Sequence, residues 1–415
     1  MNAMTLLESI QTHPHFTIHN LPFGIYSTPV KSKRTGVAIG DYILDVSALF
    51  ELNFFQDSLA ENIFQKEQLN DFIALGRTTH LDVRKRIQDV FMNNAAFFEE
   101  QQAQILDKQN DATMYVPVKV GDYTDFYSSE EHASNVGKMF RPTMEPLLPN
   151  WKHMPIAYHG RSSSIITTNT PVKRPYGQIL KAAMSADRQE EVIYSPCQTL
   201  DIEIELGFII GKENPLGTSI NINDADDYIF GAVLLNDFSA RDIQRWEYQP
   251  LGPFLGKNFA TSISPWVVTF EALKEFMTDA PEQTQRVLPY LQQSSRKNFD
   301  IEIHFEIETK KNKATVAVTN SKYLYWTAEQ QIAHHTVNGC NLRIGDLLGT
   351  GTISGTDRNS FGSLLELTWN GKEKIKIGDE ERTFLQDGDT TILSGICRKG
   401  DIQIGFGEVR NEIMK

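Results

Sequence analysis

The sequence predicts a mostly β protein of the α+β class, in two parts that meet near residue 116. Three observations predict it. Within Thr79–Leu106, the residues Leu81, Ile87, Val90, Phe91 and Phe97 recur near a 3.6-residue period, the mark of an amphipathic helix. Ile301–Glu308 alternates instead: Ile301, Ile303, Phe305 and Ile307 fall on one face, and Glu302, His304, Glu306 and Glu308 on the other. Between these textures lie the polar stretch Asp107–Ala112 and then Pro117, which end the helical pattern.

Taken in order, the first part (residues 1–116) opens with a strand and turn over Gly36–Leu44 and Asp45–Leu49. Helices over Ser58–Leu75 and Thr79–Leu106 follow, the second with Thr79 as its N-cap. In the second part (residues 117–415), Lys310–Lys313 makes a basic turn between the Glu302–Glu308 strand and a returning strand, Ala314–Val318. Further strands are expected at Leu364–Trp369, Ile375–Ile377 and Ile402–Phe406, punctuated by Gly-Asp, Asp-Gly and Asn-Gly pairs.

Composition narrows the function classes. The 415 residues are 40% apolar and 22% charged, which excludes a disordered or fibrous chain. A net charge of −13 argues against a nucleic-acid binder, which needs a basic face, and against an anionic membrane surface. The three cysteines, Cys197, Cys340 and Cys397, are far apart and form no C-x-x-C pair, so a reducing compartment fits best. The N-terminal stretch lacks a basic n-region, and runs such as Leu206–Ile210 and Ile229–Leu235 are too short to span a bilayer. A cytoplasmic protein is expected.

Several constellations can carry chemistry. In Thr199–Gly211, Asp201, Glu203 and Glu205 share one face of a strand that runs into the apolar LGFII. A bare Glu-x-Glu usually marks a solvated strand face. Here no Lys or Arg within the segment neutralises the carboxylates, and oxygen-only ligands on a rigid strand suit Mg²⁺ or Ca²⁺. Gly231–Asp237 is an apolar strand ending in a carboxylate, followed by a helical segment. Arg241, Gln244, Arg245 and Tyr248 line one face of that helix with hydrogen-bond donors. Asp122–His132 packs Asp125, Tyr127 and His132 into a short aromatic and polar stretch. Gly349–Gly355 (GTGTISG) misses the Rossmann and Walker spacings and precedes an expected strand, so it reads as a tight loop near a site rather than a nucleotide loop.

Together, YTDFYSSEEHASNVGKMFR (Tyr123–Arg141), LDIEIELGFIIG, LLNDFSARDIQRWEYQPLGPFLGKNF and GTGTISG…FGSLLEL resemble the fumarylacetoacetase family, in order and across the whole chain. The resemblance implies a small N-terminal SH3-like barrel domain with a helical segment, a large C-terminal mixed β-roll domain, and a homodimer. It implies Asp125, Glu203, Glu205 and Asp237 as ligands of Mg²⁺ or Ca²⁺, with Lys257 and Thr261 around the cation, and leaves Asp201 outside the ligand set. Lys257 has no lone pair on its ammonium, so it ligates through its carbonyl or acts by its charge. Tyr127, Arg141, Gln244, Tyr248 and Thr352 match substrate contacts. His132 matches the catalytic base and Glu366 the carboxylate that orients it, with Arg241, Gln244 and Lys257 as oxyanion donors.

The implied reaction is hydrolysis of a carbon–carbon bond in a β-diketone, 4-fumarylacetoacetate, the last step of tyrosine and phenylalanine breakdown. The substrate is a small diketo acid; neither nucleic acid nor membrane is an expected partner. Two rivals are an acylpyruvate hydrolase or another β-diketone hydrolase of the superfamily, and a non-catalytic cation-dependent binding protein.

Overall fold

The computed structural model describes residues 3–55, 57–181 and 191–415. The first sheet is built from β1 (Phe23–Thr28), β2 (Lys31–Ile39), β3 (Tyr42–Asp45), β4 (Leu106–Lys108) and β5 (Thr113–Tyr115) in the order β4-β3-β2-β1-β5. Around it lie α1 (Ala3–Thr12), α2 (Val46–Glu51), α3 (Asn70–Ala74), α4 (Arg77–Asn93) and α5 (Ala95–Ile105).

Local chemistry redraws several expected boundaries. Asp45–Leu49 is not a turn: Asp45 Oδ1 accepts from Ala48 N at 2.9 Å and caps α2, a role for which Asp is well suited. Ser58–Leu75 is not one helix but a 3₁₀ turn at Ile63–Gln65 and the short α3. Its apolar residues Phe64, Leu69, Phe72 and Ile73 are drawn into the core, and Leu69 N donates to Pro117 O at 2.9 Å. Thr79–Leu106 divides at Asn94 into α4 and α5, which fold back so that Phe91 and Phe98 stack at 3.7 Å. The cap position of α4 belongs to Gly76, at φ +83°, and not to Thr79; Leu81 is 40% exposed while Val83, Ile87 and Phe91 are buried.

The second part is organised on an eight-stranded mixed sheet. Its main strands are β6 (Tyr123–Phe126), β7 (Ala157–His159), β8 (Ile165–Thr167), β9 (Ile204–Ile210), β10 (Ile229–Asp237), β11 (Thr261–Ile263) and, later in the chain, Leu347–Gly349. Strands β6 and Leu347–Gly349 run parallel, as do β8 and β11; β9 and β10 are antiparallel. One face of this sheet (Ile209, Phe230, Val233, Leu235, Ile263) packs against the first sheet and its helices. The other (Ile204, Leu206, Phe208, Leu234) packs on a second sheet that includes β12 (Glu302–Glu308), β13 (Lys313–Asn320), Thr390–Lys399 and Ile402–Met414. Buried on both faces, β9 and β10 read as continuous apolar runs, whereas β12 keeps its alternation with Ile303, Phe305 and Ile307 inside. Burial of Glu205 and Asp237 in such strands is therefore exceptional.

One strand assignment is overturned. Leu364–Leu367 is a helical turn, because Ser363 Oγ accepts from Glu366 N and the Asp201 carboxylate accepts from the N–H groups of Leu364 and Leu365. The Gly349–Gly355 loop is thus followed by a helical turn, not a strand, yet it still lacks the Rossmann and Walker spacings. The three cysteines carry free thiols. Among the described residues no helix is long and apolar enough to cross a membrane.

Candidate active site

The sheet register assembles the carboxylates. Glu205 pairs with Leu235 one step from Asn236, Asp237 pairs with Thr261, and Asp125 pairs with Gly349. Asp125, Glu203, Glu205 and Asp237 thereby each bring one oxygen within 4.8 Å of the others, all four buried. Space for them depends on Gly349, where a Cβ would lie 3.0 Å from Asp125 Oδ1 and 3.1 Å from Glu205 Oε2.

Two of the four are neutralised and two are not. Lys257 Nζ donates to Glu203 Oε2 and, at 2.6 Å, to Asp237 Oδ2; Arg241 Nη2 lies 2.8 Å from Glu203 Oε1. Thr261 Oγ1 and Tyr158 OH also donate to Asp237, at 2.9 and 3.1 Å. Burial pushes the Glu203 carboxyl up, but the Lys257 and Arg241 charges outweigh it and hold the group below the usual range. Burial and neighbouring carboxylates hold Asp125 and Glu205 well above that range. Among the described residues Asp125 Oδ1 and Glu205 Oε1 find no hydrogen-bond partner, a costly condition for buried oxygens. An all-oxygen set of buried, unpartnered carboxylate oxygens fits a hard divalent cation, whose charge would favour their ionised form. Lys257 and Thr261 contact the carboxylates of this set through Nζ and Oγ1.

Beside the cluster stands a histidine–carboxylate pair. Helix α6 (Glu130–Phe140) is capped by Ser129 and carries His132, whose Nδ1 is 2.7 Å from Glu366 Oε2. Glu366 also accepts from Asn135 Nδ2 at 3.0 Å, from Ser363 Oγ at 2.9 Å, and from Ser354 Oγ at both oxygens. Burial raises the Glu366 carboxyl, yet His132 and these donors outweigh it and keep it below its ordinary value. An ionised Glu366 fixes the His132 proton on Nδ1 and leaves Nε2 with a free lone pair. The pair and the cluster are joined through the backbone, where Glu203 bridges Ser363, three residues before Glu366.

The Gly349–Gly355 loop threads between them. Gly351 N donates to Glu205 Oε2 at 2.9 Å, and Ser354 Oγ reaches Glu366. Thr352 Oγ1 is buried without a partner, as is Arg141 Nε; Arg141 Nη2 donates to Pro146 O. The Tyr127 ring meets His132 edge-on at 5.3 Å. On α7 (Arg241–Glu247), Gln244 Oε1 accepts from Arg241 Nη1 at 3.1 Å. Tyr248, just past α7, is 39% exposed and accepts from Gln249.

Sequence reasoning missed Tyr158, Asn135, Ser354 and Ser363. Tyr158 lies in a three-residue strand outside any motif, so no local pattern marks it. The serines lie inside segments already singled out, and a hydroxyl three residues before Glu366 was a readable sign of a cap.

Comparison with known proteins gives two matches along the chain. The fumarylacetoacetase N-terminal family profile matches residues 19–117, and the fumarylacetoacetate (FAA) hydrolase C-terminal profile matches residues 122–414. The chain is 47% identical to a fumarylacetoacetase of Dictyostelium discoideum, covering 99% of both chains. It is 45% identical to one of Homo sapiens, covering 96% of both. A solved fumarylacetoacetate hydrolase from psychrophilic Exiguobacterium antarcticum shares the fold at 17% identity, with a TM-score of 0.54 over 95% of this chain and 99% of that one. On these full-length matches, the chain belongs to the fumarylacetoacetase family.

Proposed function

We propose that this chain is a divalent-cation-dependent hydrolase that converts 4-fumarylacetoacetate and water to fumarate and acetoacetate, in tyrosine and phenylalanine breakdown. The observation that carries this reading is the adjacency of a buried carboxylate cluster with unpartnered oxygens to a His132–Glu366 pair with a free Nε2. Asp125, Glu203, Glu205 and Asp237 would hold Mg²⁺ or Ca²⁺, and the ion's charge would polarise the diketone oxygens. Lys257 and Thr261 orient and balance that set.

His132 Nε2 takes a proton from water, and the hydroxide adds to the carbonyl carbon on the fumaroyl side. The carbon–carbon bond then breaks, its electron pair leaves with the acetoacetate half as an enolate, and the proton returns to that carbon from His132. Glu366 keeps the ring oriented throughout. Of the five N–H donors of Arg241, Nε gives its one to Asp201 and Nη1 gives one to Gln244, while Nη2 makes an ion pair with Glu203 without a hydrogen-bond partner, so donors remain for the oxyanion. With Gln244 and Lys257 it stabilises that charge, at roughly 3–4 kcal/mol per well-placed donor. The unpartnered Arg141 Nε and Thr352 Oγ1 support substrate contacts there, together with Tyr127, Gln244 and Tyr248 at the rim.

The division at residue 116 fits the end of β5 at Tyr115 and the start of β6 at Tyr123. We also infer a cytoplasmic homodimer. Leu251, Phe254 and Tyr194, 95%, 67% and 76% exposed, support a self-association face beside α7. Incubation with fumarylacetoacetate and identification of both products tests the activity; preferential turnover of an acylpyruvate favours the rival hydrolase, and no turnover of either with bound cation favours a binding protein.

A further inference from the structure

Asp201 belongs to the acidic strand motif, yet the proposed chemistry leaves it unused. It is fully buried, and its carboxylate is saturated with donors from three separate segments. Oδ1 accepts from Ile202 N and Leu364 N, both at 2.7 Å; Oδ2 accepts from Leu365 N at 3.0 Å and from Arg241 Nε at 2.8 Å. Neither oxygen faces the cation cluster. Instead, Asp201 ties the guanidinium to the backbone turn that opens the segment bearing Glu366.

We propose that Asp201 is a positioning residue that sets the direction of the Arg241 guanidinium by clamping Nε against the Leu364–Leu365 backbone. The inference rests on the reading of Arg241 as an oxyanion donor. Nε is the nitrogen nearest the backbone of the side chain, so fixing it fixes the plane of the whole fork and the aim of Nη1 and Nη2. The remaining partners, Gln244 Oε1 and Glu203 Oε1, hold only the tips. An asparagine of the same shape cannot substitute. It has one acceptor oxygen, and if that stays on Ile202 and Leu364, its NH₂ meets Arg241 Nε–H and Leu365 N–H donor against donor. A small displacement of a transition-state donor is enough to slow the chemical step without weakening substrate binding.

The test is a double-mutant cycle on fumarylacetoacetate turnover with saturating Mg²⁺, normalised to folded protein. D201N is expected to lower kcat roughly 10- to 100-fold with KM within about threefold. In an R241M background the same change should alter kcat by less than about threefold, because the group it positions is gone. Equal fold-losses in both backgrounds, or a wild-type kcat in D201N, overturn the inference while leaving the oxyanion role intact. A wild-type kcat in R241M removes the oxyanion role and this inference with it. Should D201N alone not fold, D201E, which keeps the charge but displaces the carboxylate, takes its place in both backgrounds, and the same outcomes support or overturn the inference.

Discussion

His132 is 3% exposed, and its Nδ1 is committed to a carboxylate that three other side chains also hold. With Nε2 as the proposed base, His132→Ala should lower kcat by about 10²–10⁴-fold. Glu366→Gln should cost less. Asn135 can flip its amide to accept from the new NH₂, leaving the Gln carbonyl on His132 Nδ1 but without the charge that stabilises an imidazolium. Steady-state kinetics and melting curves on the same preparations check both; unchanged turnover from a destabilised His132→Ala protein would mean the histidine is only packed. Glu205→Gln probes the cation side. Glu205 has no cationic partner, so the isosteric amide should melt no lower than wild type in chelator, and should lose the rise in melting temperature that Mg²⁺ gives the wild type. A full Mg²⁺-induced shift in Glu205→Gln contradicts its ligand role. At this scale the four carboxylates that cluster, and His132, could be singled out because each sits in a contiguous stretch resembling a family motif. Tyr158 was not, since its contact with Asp237 spans 79 positions and leaves no local trace.

Among the elements, the Gly349–Gly355 loop bears on both halves of the site. Gly351 has φ +76°, and a Cβ there would sit 2.2 Å from Phe126 O, so the loop cannot accept a side chain without moving. Gly351→Ala should cost more than about 1 kcal/mol of stability. It should also reduce turnover per folded molecule, because Gly351 N and Ser354 Oγ hold Glu205 and Glu366. Chemical denaturation with parallel assays measures both; normal turnover would show that the loop does not set the site. Element type was legible where the period was clean, as in Glu302–Glu308. It failed where one hydrogen bond redirected the chain. Capping made Val46–Glu51 and Leu364–Leu367 helical, and packing of Phe64, Leu69 and Phe72 broke up Ser58–Leu75.

For the whole molecule, the eight-stranded sheet is covered on one face by the first sheet with its helices and on the other by the second sheet, and the site forms where its strands end. A smaller first part and a larger second part were legible from the change of texture along the chain; that a core cluster draws on both was not, because it depends on which face of β10 meets which layer. The exposed Leu251 and Phe254 give the oligomer prediction its place: sedimentation should show a dimer at micromolar concentration, and Phe254→Asp with Leu251→Asp should yield monomer. A monomeric wild type would remove the dimer. The central claim is that the carboxylate cluster binds the cation on which hydrolysis depends. Its most direct measurement is titration of chelator-stripped protein with Mg²⁺ or Ca²⁺ during fumarylacetoacetate turnover. The account predicts negligible turnover without cation and a rise to a plateau at one ion per chain; full turnover in excess chelator would contradict it.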